Sequence, residues 1–262
     1  MPLTDAQVTA YLDRIRAPRP AAADPDALRA LHLDHLRAVP FENLSIHLKE
    51  PVVLTPEALF EKVVVRRRGG FCYELNGLFA ELLTALGYRC ALLAARVHGE
   101  TGYGPLFDHL ALAVTCQDGT DWLVDVGFGR HTDHPLRLDV RTEQSDPTGV
   151  YRIAEHHQAH ADDLVVLKGD VPQYLLETRP RTLGDFELGC WWNQTSPQSH
   201  FTRNTVCTLR TATGRVTLSS RTLIETDDGG ERRQHEVKPQ ELADTYAELF
   251  GFELDPAAVA AL

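Results

Sequence analysis

The stretch Arg66-Arg67-Arg68-Gly69-Gly70-Phe71-Cys72-Tyr73-Glu74-Leu75-Asn76-Gly77-Leu78-Phe79 constrains the fold most, because a loop must turn abruptly into a buried helix. Leu75, Leu78, Phe79, Leu82, Leu83 and Leu86 recur on one helical face, and Gly87 supplies a C-terminal stop. Cys72 lies three residues before Leu75 and opens the same face. A thiol in a first helical turn meets unpaired N–H groups and the macrodipole, which favour a thiolate. Gly69 and Gly70 leave the approach to the sulfur clear of side chains. Free cysteines are also common as small apolar core residues, so this stretch alone leaves both roles open.

A chain of 262 residues suffices for two or three packed layers. Its net charge of -11 argues against broad nucleic-acid or anionic-membrane binding, and the Arg66–Arg68 run is local. No apolar run approaches a membrane span, and the first residues lack the basic-then-apolar pattern of a signal peptide. Five cysteines with no C-x-x-C spacing point to a reducing, cytoplasmic setting, with Cys90, Cys116, Cys190 and Cys207 as core residues.

Thr4-Asp5-Ala6-Gln7 is a capping box that predicts a helix to about Ile15. Asp24-Pro25 starts a second helix, which Val39-Pro40 ends. Phe41-Glu42-Asn43-Leu44 reads as a partly buried turn, in which Glu42 needs a cationic partner. Arg68, the basic residue nearest the two glycines, is the expected partner, with Arg66 solvated. Thr55-Pro56 caps a third helix to about Val63, and the helix from Cys72 is the fourth. Strand patterns then dominate: Cys90 to Val97, His109 to Val114, Trp122 to Val126, Val150 to Ile153, Asp163 to Lys168 and Tyr174 to Thr178. Helix signals are sparse here apart from a short piece around Thr182 to Phe186, so an open barrel or a sandwich is expected. More strands follow from Thr205 to Val237, and a last helix runs from Pro239 to Phe250.

A cysteine nucleophile needs a base, and the base needs a group to orient it. After Cys72, His109 and Asp125 are the polar residues that interrupt otherwise apolar strands, and an unpaired carboxylate there is costly. Parity decides whether they meet. A two-residue loop puts them on opposite faces. A three-residue loop, Gln117-Asp118-Gly119, sets Asp125 opposite Ala111 and diagonal to His109 on one face, about 7–8 Å away. A hairpin-bracing pair without a nucleophile fits each residue alone; the order Cys72, His109, Asp125 fits catalysis. His156-His157-Gln158-Ala159-His160 is a weaker metal candidate.

These residues resemble the arylamine N-acetyltransferases, especially bacterial ones. The likeness rests on Arg68-Gly69-Gly70-Phe71-Cys72-Tyr73-Glu74-Leu75-Asn76, Val39-Pro40-Phe41-Glu42-Asn43-Leu44, Val124-Asp125-Val126-Gly127-Phe128-Gly129, His109-Leu110, and the Asn193-to-Phe201 segment. The resemblance implies an α+β fold with a cysteine-protease-like catalytic core. Its parts are a helical bundle (residues 1–88), an antiparallel β-barrel (89–190) and an α/β lid (191–262). It implies Cys72, His109 and Asp125 as a catalytic triad, and acetyl-CoA as co-substrate without a metal. The acceptor it implies is an aromatic amine or hydrazine, in a pocket expected to be lined by Phe41, Tyr73, Phe128 and Phe201. By position in the lid, the late basic cluster Arg232, Arg233, His235 and Lys238 is the expected phosphate contact. Related amide synthases that close a macrolactam are the alternative reading, ahead of a transglutaminase-like or papain-like hydrolase or a non-catalytic binding protein.

Overall fold

Gln7 accepts the Thr4 N–H at 2.9 Å and returns its own N–H to Thr4, which starts helix α1 (Asp5–Ile15). The computed structural model describes residues 3–158 and 161–259. Asp24 caps α2 (Pro25–Ala38) through the Ala27 N–H. The next segment differs from the expected irregular turn. Phe41–Glu42 form a short strand, β1, and a single-turn helix, α3 (Leu44–His47), follows. Glu42 is the local cause, because its carboxylate accepts the Leu44 N–H at 2.6 Å. Helix α4 (Pro56–Phe60) ends earlier than expected and widens into a π-turn over Glu61–Val65, where three β-branched valines crowd the helix.

Helix α5 (Cys72–Ala85) is buried on nearly every side. The loop before it is anchored by a buried arginine on α1. Arg14 donates to Ala38 O at 2.6 Å, Arg67 O at 3.0 Å and Val63 O at 3.2 Å, satisfying carbonyls at the ends of three segments.

The middle of the chain gives strands β2 (Arg89–Gly99), β3 (Gly102–Tyr103), β4 (His109–Thr115), β5 (Asp121–Val124), β6 (Leu136–Arg137), β7 (Gln144–Asp146), β8 (Gly149–Gln158), β9 (Ala161–Lys168) and β10 (Val171–Arg181). They form one antiparallel sheet in the order β6-β5-β4-β2-β10-β9-β8-β7, with β3 beside β2. Its two edges meet through a side chain. Gln144 accepts the Arg137 N–H at 2.7 Å and donates to the Arg137 carbonyl at 3.0 Å. The sheet is therefore a nearly closed barrel rather than a sandwich. Alternate residues of β4 face opposite ways: Leu110, Leu112 and Val114 join the helical core, while Ala111 joins Leu93, Ile153 and Tyr174 inside the barrel.

A 3₁₀ turn over Leu183–Phe186 continues into α6 (Glu187–Thr195), beyond the short piece expected there. Its outer face carries exposed Leu188 and Trp191, which blurs the amphipathic signal. The second sheet consists of β11 (Val206–Arg210), β12 (Gly214–Ser219), β13 (Thr222–Asp227) and β14 (Arg232–Glu236), with β1 on its edge beside β11. Helix α7 (Leu242–Thr245) runs into a π-turn over Tyr246–Phe250 that stops at Gly251, and α8 (Pro256–Val259) follows. Leu218, Leu223, Tyr246 and Phe250 give this unit its own core. The molecule is thus α+β, with helices, barrel and α/β lid in chain order. No helix among the described residues is long and apolar enough to cross a membrane.

Candidate active site

The β4–β5 hairpin uses the three-residue loop. Leu112 pairs with Val124, Thr115 with Asp121, and Cys116 N–H bonds to Thr120 O at 2.9 Å. Gly119 has φ +82, the left-handed conformation this loop needs. Extending the register by one residue sets Asp125 opposite Ala111, on the face of His109. The two side chains meet, with His109 Nε2 donating to Asp125 Oδ2 at 2.7 Å. The Cys72 thiol acts on the same ring in the same direction as Asp125, and its Sγ lies 3.9 Å from Asp108 O, to which it donates. Cys72, His109 and Asp125 are 3%, 2% and 3% exposed.

Burial opposes charge on both ring and carboxylate, but their mutual attraction is stronger. Against desolvation, the Asp125 charge and hydrogen bond, helped by Cys72, raise His109 to about 10. Likewise, His109, His131 and Asn76 outweigh burial and hold Asp125 down at about 2. Both partners are shielded from solvent, which strengthens the attraction between ring and carboxylate.

Asn76, which the sequence reading did not single out, fixes this arrangement from α5. Its Nδ2 donates to Asp125 Oδ1 at 2.9 Å and Leu110 O at 2.6 Å, and its Oδ1 accepts the Val126 N–H at 2.9 Å. It lies four residues after Cys72 and so one turn along the same face. Gly127 closes the contact: a Cβ there would lie 2.7 Å from Cys72 Cα and 2.7 Å from Asn76 Nδ2.

The loop before Cys72 rests on buried charges. Arg68, 1% exposed, donates from Nε to Glu42 Oε1 at 3.1 Å and from Nη1 to Glu50 Oε2 at 3.2 Å, with its Nη2 in ion-pair contact with Glu42 Oε1 at 2.9 Å. Lys62 lies 2.7 Å from Glu74 and 3.9 Å from Glu42. Although burial works against it, Lys62 and Arg68 keep Glu42 below the usual carboxylate range. Burial raises Glu74 instead. The Glu42 N–H also donates to Gly70 O at 2.8 Å, so β1 joins the Cys72 loop to the second sheet.

A cleft of about 930 Å³ opens between the barrel and the second sheet, with Cys72 and His109 in its wall. Phe41, Phe128 and Phe201 line it. Tyr73 does not. Its ring is fully buried, and its hydroxyl donates to Phe107 O at 2.7 Å and accepts from Asn193 at 2.8 Å. One residue along a helix is a rotation of about 100°, which carries Tyr73 away from the face of Cys72. Ser199 completes this link by donating to Asn193 Oδ1 at 2.9 Å.

The expected phosphate contacts are also elsewhere. Arg232 lines the cleft, but strand alternation turns Arg233 away from it. Arg233 pairs with Glu231 at 2.9 Å and Lys238 with Glu241 at 3.1 Å, and His235 is exposed on β14. The cations at the cleft come instead from separate segments: Arg130, Lys168, Arg210, Arg215 and Arg232. Arg210 is engaged by Asp133 at 2.8 Å and Asp228 at 2.9 Å, and Arg215 donates to the Gly129 carbonyl. Arg130 has no ion-pair partner among the described residues. Burial lowers Lys168, as do the charges of Arg130 and Arg215, so the three act on one another. Of the histidine run, His156 and His157 are neighbours on β8 and face opposite ways, while His160 lies outside the described residues.

Residues 24–259 match the N-acetyltransferase family. The chain is 35% identical over 255 residues to the arylamine N-acetyltransferase of Mycolicibacterium smegmatis, spanning 95% of this chain and 92% of that one. It superposes on the Salmonella typhimurium arylamine N-acetyltransferase structure with a TM-score of 0.89 and 30% identity, over 99% of this chain and 98% of that one. The Mycobacterium marinum arylamine N-acetyltransferase, solved in complex with CoA, gives 0.85 at 34% identity over 97% of each chain.

Proposed function

The chain belongs to the arylamine N-acetyltransferase family, and we propose that it moves acetyl from acetyl-CoA to an arylamine or arylhydrazine through an acetyl-Cys72 intermediate. The observation that carries this reading is the buried Cys72–His109–Asp125 constellation at the wall of an aromatic cleft. The Cys72 thiolate attacks the thioester carbonyl, and a carbon–sulfur bond forms. The tetrahedral intermediate's oxyanion is met by N–H groups of the α5 first turn, with Tyr73 N–H as the candidate donor. The intermediate collapses by releasing the CoA sulfur, which takes the imidazolium proton of His109. An amine in the cleft formed by Phe41, Phe128 and Phe201 then attacks acetyl-Cys72 while neutral His109 takes its proton. Release of the Cys72 thiolate restores the starting pair. Asp125 stays ionised throughout, orienting and stabilising the imidazolium.

The coenzyme's phosphates must be held at the surface, since burying them unpaired is too costly. Arg130, Lys168 and Arg215 supply a local positive field against the net charge of -11. Initial rates measured over a grid of acetyl-CoA and arylamine concentrations test the reading. Parallel double-reciprocal lines are expected; intersecting lines would require both substrates on the enzyme together and exclude the covalent route.

A further inference from the structure

Tyr73 does not line the cleft, but its hydroxyl belongs to a chain of hydrogen bonds that ends at the cleft wall. The hydroxyl donates to Phe107 O at 2.7 Å and accepts from Asn193 Nδ2 at 2.8 Å. The same amide nitrogen lies 3.4 Å from Asp108 O, the carbonyl that also meets Cys72 Sγ at 3.9 Å. Asn193 Oδ1 accepts from Ser199 Oγ at 2.9 Å, and Ser199 Oγ accepts the Phe201 N–H at 3.3 Å. Tyr73, Asn193 and Ser199 are all buried.

The two ends fix the direction of the chain. The Phe201 N–H only donates, and the carbonyls of Phe107 and Asp108 only accept. Each hydroxyl proton between them then has one place. The Asn193 amide has one orientation, because turned over its oxygen would face the Asp108 carbonyl, which has no proton to give. A leucine would fill the same space and tie neither end; a fully satisfied amide holds both.

Both tied segments belong to the site. One is the turn entering β4, where Phe107 has φ +61, a left-handed conformation that a bulky residue keeps only where its surroundings hold it. Gly189 on α6 admits the Phe107 carbonyl, since a Cβ there would lie 2.2 Å from that oxygen. His109 follows two residues later. The other segment carries Phe201, whose ring stands in the cleft wall 6.0 Å from Phe41.

We propose that Asn193 is a positioning residue for both sides of the cleft: through Tyr73 and Asp108 it sets where His109 enters the site, and through Ser199 it sets Phe201 against the arylamine. This rests on the acetyl-Cys72 route, in which kcat/KM for acetyl-CoA reports the first transfer and kcat/KM for the arylamine the second. His109 works in both transfers, whereas Phe201 meets the arylamine in the second.

Deleting one oxygen at a time in the full-length enzyme separates the two arms. Y73F should lower both ratios together, by about tenfold. S199A should lower the arylamine ratio roughly fivefold and leave the acetyl-CoA ratio within about twofold. N193A should show both effects, and in its background Y73F and S199A should each add little. If N193A does not fold, the contrast between Y73F and S199A decides alone. A clamp that only supports the fold would give losses that follow the melting temperature and fall equally on both ratios. That pattern, a Y73F enzyme with wild-type acetylation of Cys72, or undiminished Y73F and S199A effects in N193A each overturn the proposal. A wild-type enzyme that forms product without acetyl-Cys72 is a different failure: it removes the covalent route, and this proposal with it.

Discussion

At the scale of single residues, two side chains sit one turn apart on α5 at the His109–Asp125 pair. Cys72 lines the cleft with His109, and Asn76 bonds the Asp125 carboxylate. Asp125→Asn removes the charge but not the shape. It should leave the melting temperature within a few degrees and lower kcat/KM by about 10²–10⁴-fold. Asn76→Ala should also lower kcat/KM, with the additional loss of two buried hydrogen bonds worth about 1–3 kcal/mol in urea denaturation. An Asn76→Ala enzyme with wild-type kinetics would show that Asp125 needs no help from the helix. The His109–Asp125 contact is legible in the sequence because a polar residue inside an apolar strand demands a partner, and hairpin parity supplies one. Asn76 is legible by the same logic, as an amide on the apolar face four residues after Cys72. The direction of the Tyr73 ring is not, because it depends on how Phe107 and Asn193 pack around it.

At the scale of elements, the loop before α5 is held by charges whose partners are far away in sequence. Arg68→Ala leaves Glu42 buried and unpaired and should cost about 3–5 kcal/mol in denaturant unfolding. Arg66 pairs with Glu50 at an exposed site, so Arg66→Ala should stay within about 0.5 kcal/mol. Equal losses would mean that the Glu42 carboxylate finds another cation, with Lys62 nearest. The helix caps and the hairpin were readable because they depend on a few neighbouring residues. The closure of the barrel was not: it hangs on Gln144, whose partner is the Arg137 backbone on another strand. Helix α6 escaped for a different reason, since its exposed face is apolar.

At the scale of the whole molecule, the cleft lies between two sheets that β1 and the Cys72 loop join. The densest basic run of the last third holds Arg233 and Lys238, which are 78% and 69% exposed and already paired. The cations that converge on the cleft are scattered in sequence, so no local pattern reveals them. Charge reversal at Arg130 and Lys168 should raise KM for acetyl-CoA roughly tenfold or more while leaving a small phosphate-free thioester nearly unaffected. An equal loss with both donors would assign those residues to the fold.

The buried histidines set the acid limit of stability. His32, His35 and His131 are held below the ordinary range by burial first. Unfolded, they take up protons near pH ~6.5, so stability should fall as pH drops below that value, by about 1.4 kcal/mol per unit per histidine. The Asp125 contribution persists above its unfolded value of ~3.9 and is lost only as pH falls through about 2. The His109 contribution is complete below ~6.5 and disappears as pH rises through about 10. A flat urea-denaturation profile between neutrality and pH ~5 would contradict the histidine part. The central claim is the acyl-enzyme, and mass spectrometry of the protein mixed with acetyl-CoA alone tests it most directly. The account predicts one added acetyl group, on the Cys72 peptide, absent in C72S and discharged when an arylamine is added. An unmodified Cys72, or an acetyl group that the amine does not remove while product still forms, would contradict it.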